Sequence, residues 1–209
     1  MLPTDTFRNL SDDKRNRILD AAIEEFAAHP YHRASVGRIV ERAEIPKGSL
    51  YQYFCDKKDL YRYILQMGLE RKLAYAAGLR DGTVADLGFF GAMRAFLAAG
   101  MEMARDYPRL SAIADSLMRD DELRDEMLGE FGPQGYRVIE ELLERGIASG
   151  EISPDIDVPL VARLISAMAF VLADYVRERS GSYTDESLVP LYDEMLAVLA
   201  RGIARKEST

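Results

Sequence analysis

Apolar residues recur at steps of three and four along nearly the whole of this 209-residue chain, and no stretch alternates apolar and polar side chains long enough for a strand. An α-helix places positions i, i+3, i+4 and i+7 on one face, so such a chain buries its apolar surface helix against helix. The fold expected is all-α. Leu19, Ala22, Ile23 and Phe26 form the first stripe, behind Ser11 as N-cap and Asp12 and Asp13 in the first turn; Pro30 ends that helix. Ser35 caps a second helix, about two turns long, carrying Val36, Ile39, Val40 and Ala43. A third short helix starts near Pro46, which suits a first helical position. Asp56 caps a fourth, with Asp59 as a capping-box variant and Leu60, Ile64 and Met67 as its stripe.

The remaining segments continue the pattern. "GLRDGTVADLG" (78–88) is a loop candidate. Phe89, Met93, Phe96, Gly100, Met103 and Tyr107 follow as a stripe that Pro108 interrupts. "GPQG" (132–135) predicts a break or kink, and "ASGEISPD" (148–155) a turn. Two last helices span roughly 157–179 and 186–205, separated by "RSGSYTDES". The architecture expected is about nine helices: a three-helix N-terminal domain over 1–56 and a longer helical domain over 57–209.

Charge sharpens that division. The chain carries a net −8, which taken whole argues against a nucleic-acid partner. Residues 1–60, however, hold ten basic and ten acidic side chains, and the whole deficit lies in 61–209. Within 32–58, Arg33, Arg38, Arg42, Lys47, Lys57 and Lys58 outnumber Glu41, Glu44 and Asp56. The two halves are therefore expected to meet different partners.

The stretch "PKGSLYQYFCDKKDLY" (46–61) concentrates this asymmetry. On a helix, Leu50 and Phe54 point the same way and form the core pair. Gln52 then points outward, with Gly48 and Ser49 beside it, and Tyr51 and Tyr53 fall on opposite flanks between Lys47 and Lys57. A small polar outer face lets a backbone approach base edges in a major groove, while phenols and ammonium groups reach phosphates. Gln52 matches the bidentate edge of an adenine. Ser35, opening the preceding helix, offers amides to a phosphate, and Arg38 adds charge nearby. Amphipathic three-helix units with surface tyrosines also occur without nucleic acid, so periodicity alone leaves a protein-binding module open.

The residues themselves carry a resemblance. "RILDAAIEEFAAHPYHRASVGRIVERAEIPKGSLYQYFCDKKDLY" is similar to the N-terminal domain of the TetR family, tetracycline-repressor-like regulators. The matching positions are Ile18, Ala21, Ala22 and Phe26, the aromatic Tyr31, then Ser35, Val36, Ile39 and Ala43. The strongest block is Lys47, Gly48, Leu50, Tyr51, Tyr53 and Phe54, with Lys57 and Leu60. The resemblance implies a helix-turn-helix that binds double-stranded DNA. In it, residues matching Lys47, Tyr51, Tyr53 and Lys57 meet phosphates, those matching Gly48, Ser49 and Gln52 face bases, and Ser35 holds a phosphate. Pro30, Glu44 and Pro46 depart from the family pattern, which has glycine at the first two places and commonly Ser or Thr at the third.

For 57–209 the resemblance implies a small-molecule effector cavity and a homodimer interface, and for the whole a repressor released from an inverted-repeat operator by its ligand. Candidate lining residues are Phe89, Met93, Phe96, Met103, Tyr107, Met118, Met127, Phe131, Tyr136, Met168 and Phe170, since Met and aromatics adapt to apolar ligands. Candidate interface residues are the small Ala162, Ser166, Ala169 and Ala173 with Leu188, Leu191, Met195, Val198 and Leu199.

Other chemistries find little support. Cys55 is the sole cysteine, so no internal disulfide forms, and a reducing cytosol is the easy setting. The start, Met-Leu-Pro-Thr-Asp, lacks a basic region followed by an apolar run. The apolar run Leu164–Ala173 is about half a membrane span and is flanked by Arg163 and Asp174. We therefore expect a cytoplasmic protein with no membrane partner. His29 and His32 straddle Pro30, which argues against a metal site. Glu140 and Glu144 fit a solvated helix face, and there is no glycine-rich phosphate loop or nucleophile elbow. No catalytic residue, cofactor or enzymatic activity is expected.

Overall fold

The computed structural model describes residues 3–77, 87–180 and 187–203. Among them there are ten α-helices, a 3-10 turn at Tyr31–Arg33, and no strand. They are α1 (Asp5–Arg8), α2 (Asp12–Ala28), α3 (Val36–Arg42), α4 (Lys47–Tyr53), α5 (Lys57–Ala77), α6 (Gly88–Asp106), α7 (Pro108–Met118), α8 (Asp121–Ala148), α9 (Val158–Ser180) and α10 (Leu188–Ile203). The chain packs as two compact units: residues 1–71 with 104–127, and residues 72–103 with 128–209.

In the first unit the expected stripes face inward. Ile18, Ala22 and Phe26 of α2, Ile39 of α3, Leu50 of α4, Phe54, and Leu60 and Ile64 of α5 are all buried. Helix α7 packs against α2 and contributes Leu110, Ile113 and Leu117 to the unit's interior. The turn from α3 to α4 has the hydrogen bonds of a Schellman motif. Ile45 N–H donates to Val40 O at 3.0 Å and Glu44 N–H to Glu41 O at 3.1 Å. The motif requires a left-handed residue after the cap, and Glu44 supplies it at φ +53°, where glycine would fit without strain. Ile45 and Val40 make the buried apolar pair that accompanies such a turn.

Helix α1 was not expected, because four residues leave too little periodicity to read. Thr4 caps it and ties it down: its N–H donates to Tyr53 O at 3.1 Å and its hydroxyl to Gln52 O at 2.8 Å. Phe7 is fully buried, its ring centroid 5.8 Å from Tyr53, 4.8 Å from Phe54 and 5.8 Å from Tyr63. Asp56 caps α5 as expected, accepting Asp59 N–H at 2.7 Å, while the Asp59 carboxylate accepts Cys55 N–H at 3.0 Å.

The second unit is a helical stack around Phe89 and Met93 of α6, Ile139 and Leu143 of α8, Ala162 and Ile165 of α9, and Tyr192, Met195 and Leu196 of α10. A remote carboxylate starts α6: Glu151 accepts the N–H groups of Phe89 and Phe90. Gly88 sits at φ +64°, a conformation that favours glycine, and a Cβ there would also crowd the Glu151 carboxylate. Helix α8 runs through Pro133 without interruption, where the sequence suggested a break or kink. Leu123 and Met127 before the proline and Ile139 and Leu143 after it are buried, and that burial offsets the lost backbone hydrogen bond. Helix α9 is long and apolar enough to cross a membrane by length and composition, with a mean hydropathy of 1.6 over its most apolar window. The expected loop at 78–88 and the linker at 179–187 lie mostly outside the described residues.

Candidate nucleic-acid interface

The Schellman turn sets α4 across α3, and the sequence of α4 decides which side shows. Leu50 and Tyr53 are buried. Lys47, Gly48, Tyr51 and Gln52 are exposed together, with Ser49 half-buried at their edge. These positions are spaced i, i+1, i+4 and i+5, so they form one continuous outer face. A Cβ added to Gly48 would meet nothing within 4 Å. Nothing inside the protein therefore requires a glycine, although glycine costs about 1 kcal/mol in a helix relative to alanine. Of the expected set, Lys47, Gly48, Ser49, Tyr51 and Gln52 lie together at this surface.

Tyr53 does not. Its ring packs against Phe7 of α1, a helix too short for periodicity to show, so it lies beneath the exposed face and not on its flank. Lys57 is also turned inward. Its ammonium donates to Tyr31 O at 2.7 Å and Ala34 O at 3.1 Å and lies 4.4 Å from the Tyr31 ring centroid. Burial pushes its pKa down, partly opposed by the charge of Glu25. This lysine fixes the loop before α3 to the start of α5. Lys58 is occupied too, donating to Glu126 Oε2 at 2.7 Å, and Arg62 donates to Glu126 Oε1 at 2.7 Å.

Ser35 and Arg38 are organised by a residue the sequence reading passed over. Glu25 of α2 is 2% exposed, and its Oε1 accepts Ser35 N–H at 2.7 Å. Its carboxylate also accepts from Arg38 Nε at 2.9 Å and pairs with Nη2, which in turn donates to Arg33 O at 3.0 Å. Burial acts to raise the Glu25 pKa, but the Arg38 and Ser35 hydrogen bonds and nearby positive charge outweigh it and hold the carboxyl below its usual range. Ser35 Oγ accepts Arg38 N–H at 3.4 Å and so caps α3. The Arg38 guanidinium remains half-exposed beside the exposed Arg33 and Arg42. A glutamate within an apolar stripe, thirteen residues before an arginine, was the signal available for this pair.

The eleven lining candidates divide between the units. Tyr107, Met118 and Met127 belong to the first; Phe89, Met93, Phe96, Met103, Phe131, Tyr136, Met168 and Phe170 belong to the second. Phe89, Met93, Met103 and Met127 are core residues, whereas Phe170 is exposed. Of the interface candidates, Ala162, Leu188 and Met195 are buried in their own unit and Val198 is exposed. The exposed apolar stripe of α9 is instead Leu160, Leu164, Val171 and Tyr175. Among the described residues, no three His, Cys, Asp or Glu gather as a metal site.

Comparison with known proteins places these features in context. Residues 18–64 match the model of bacterial regulatory proteins of the tetR family, and residues 89–174 match the tetracyclin repressor-like C-terminal domain. A TetR family transcriptional regulator from Chloroflexus aurantiacus J-10-FL, solved by crystallography, is 32% identical over 99% of this chain and 100% of its own, with a TM-score of 0.63. The transcriptional regulator RutR of Escherichia coli K12 is 28% identical over 146 residues, 68% of this chain; the match spans 65% of RutR. The crystal structure of FadR from Bacillus subtilis in complex with stearoyl-CoA shares the fold at 21% identity, covering 90% of this chain and 98% of that one, with a TM-score of 0.70.

Proposed function

Since this chain belongs to the tetR family of bacterial regulatory proteins, we propose that it is a sequence-specific DNA-binding transcriptional regulator, a repressor released from its operator by a small molecule. The carrying observation is the outer face of α4, where exposed Lys47, Tyr51 and Gln52 surround a glycine that no internal packing requires. Residues 1–56 form the reading head, and 57–209 serve ligand binding and pairing. Gly48 and Ser49 admit the backbone close to the bases, and Gln52 reads a base edge. Lys47 and Tyr51 hold phosphates, aided by Ser35 and the Arg38 guanidinium that Glu25 orients. Tyr53 and Lys57 support this surface from within.

The protein acts in the cytoplasm as a homodimer, whose two heads read the halves of an inverted repeat about one DNA turn apart. The apolar stripe Leu160, Leu164, Val171 and Tyr175 of α9, with Val198 of α10, supplies the contact. The effector is an apolar or amphipathic molecule, a reading supported by the stearoyl-CoA complex of FadR and by the Met- and Phe-rich α6. Its binding favours one of two head arrangements, and α5, which begins at the head and continues into the second unit, carries the shift.

The test is a titration of labelled DNA from upstream of the protein's own gene, at two salt concentrations, against scrambled competitor. Binding should be sequence-preferring and should weaken steeply with salt. Lys47→Ala should lower the salt slope by about one, and Gln52→Ala should change the preferred base. Binding that is indifferent to both sequence and salt would instead favour a helical protein-binding module.

A further inference from the structure

Helix α4 spans seven residues, about two turns, and a helix that short is not held by its own hydrogen bonds alone. Gln52 stands in its last turn, where carbonyls have no partner within the helix. A left-handed residue commonly closes such an end, as Glu44 closes α3. Phe54 instead follows α4 in an extended conformation (φ −135°, ψ 137°), its N–H reaching back to Leu50 O. Two of the remaining carbonyls are met from elsewhere in the chain. Thr4 donates its hydroxyl to Gln52 O at 2.8 Å and its N–H to Tyr53 O at 3.1 Å. Both donors of one residue, 48 positions before Gln52, thus close the end of the reading helix.

The tether is itself anchored. Pro3 and Phe7 are buried on either side of Thr4, and the Phe7 ring packs on those of Tyr53 and Phe54. Thr4 Oγ1 also accepts Phe7 N–H at 3.4 Å, so the hydroxyl that meets Gln52 opens α1 as well. Thr4 and Phe7 lie ahead of residues 18–64, the stretch that matches the tetR model, so membership of the family does not account for them. Thr4 is exposed, and water replaces a lost bond there at small cost to folding. Geometry is more sensitive. A bidentate pair with a base edge needs both of its hydrogen bonds aligned, and a small shift of the Gln52 backbone carries the amide off that alignment.

We propose that Thr4 is a positioning residue for base recognition: its hydroxyl and N–H fix the backbone of Gln52 and Tyr53, and with it the angle at which the Gln52 amide meets a base pair. The inference rests on the DNA-reading role proposed above for α4. Thr4 itself makes no contact with DNA; it acts through Gln52.

The test selects duplexes from a randomised pool with full-length wild-type, Gln52→Ala, Thr4→Val and Thr4→Ser proteins. The preference that Gln52→Ala loses identifies the base pair that Gln52 reads. Each protein is then titrated with the preferred duplex and with one altered at that base pair. The ratio of the two dissociation constants, measured on one protein, is independent of the fraction folded, so a loss of stability alone leaves it unchanged. Thr4→Val should lower the wild-type ratio about threefold or more, the worth of an ordinary hydrogen bond, and Thr4→Ser should retain it. Affinity for scrambled DNA and its salt dependence should match wild type in both variants, since Lys47 and Tyr51 are untouched. A Thr4→Val ratio equal to wild type overturns the assignment, as does an equal loss in Thr4→Ser or a loss shared by scrambled DNA. If wild type selects no sequence from the pool, the transcriptional reading fails and the positioning role with it. If wild type selects a sequence and Thr4→Val discriminates as well, the positioning role alone is lost.

Discussion

The carboxylate of Glu25, buried in α2, accepts the backbone N–H of Ser35 at 2.7 Å, so the residue that opens α3 is held by the preceding helix. Arg38 closes the arrangement from one turn further along. Removing the acceptor with Glu25→Ala leaves a backbone donor unsatisfied and costs about 1–3 kcal/mol. The half-exposed Arg38 regains water and limits the loss. Because the folded carboxyl titrates below its unfolded value near pH ~4.3, its contribution is complete above that pH. It is lost as pH falls through the lower folded value. Urea unfolding should therefore show the wild-type advantage over Glu25→Gln shrinking from pH 6 toward pH 3. An advantage that stays constant over that range would mean the charge contributes nothing.

Glu44 occupies the left-handed position of the turn between α3 and α4. Glu44→Gly should raise stability by about 1 kcal/mol, the strain of an L side chain there. Glu44→Ala keeps the strain and should gain nothing. Thermal unfolding of the two variants distinguishes backbone relief from loss of the distant Arg17 contact at 4.0 Å.

Gly48 separates folding from binding. Gly48→Met enters open space in the free protein and replaces a poor helix former, so thermal stability should hold or rise by about 1 kcal/mol. The same side chain blocks close approach to DNA, and operator affinity should fall about tenfold or more, the loss of one good base contact. A variant that melts higher and binds DNA like wild type would show that this face is not the contact surface.

The α9 stripe answers to a hydrodynamic test. Leu164→Glu with Val171→Glu places charge on residues that are 52% and 71% exposed, so each chain should stay folded while sedimentation reports monomers. Ala162 is fully buried, and Ala162→Glu should unfold the second unit instead. A double variant that sediments as wild type would move the interface elsewhere.

Much of this was legible in the sequence because helical spacing and caps are local signals. Ser35 and Asp56 cap where the pattern put them, and Ile18, Phe26, Ile39, Leu50 and Phe54 face inward. What escaped depended on distant partners. Tyr53 reads as a flank residue until Phe7 covers it, and Phe7 sits on a helix too short to announce itself. Lys57 reads as a phosphate clamp until two carbonyls from residues 31 and 34 claim its protons. Small residues on α9 suggest close helix approach, but periodicity cannot say whose helix approaches, and Ala162 turned out to face its own unit. Pro133 punctuates a sequence but not α8, because burial on both sides of it carries the helix through.

Thr4 donates its N–H to Tyr53 O and its hydroxyl to Gln52 O, so the N-terminal segment is fastened to the very end of α4. An affinity tag, reporter domain or immobilisation handle joined ahead of Thr4 therefore enters beside the surface under test. Purification tags at that end should be cleaved before any affinity is compared between variants.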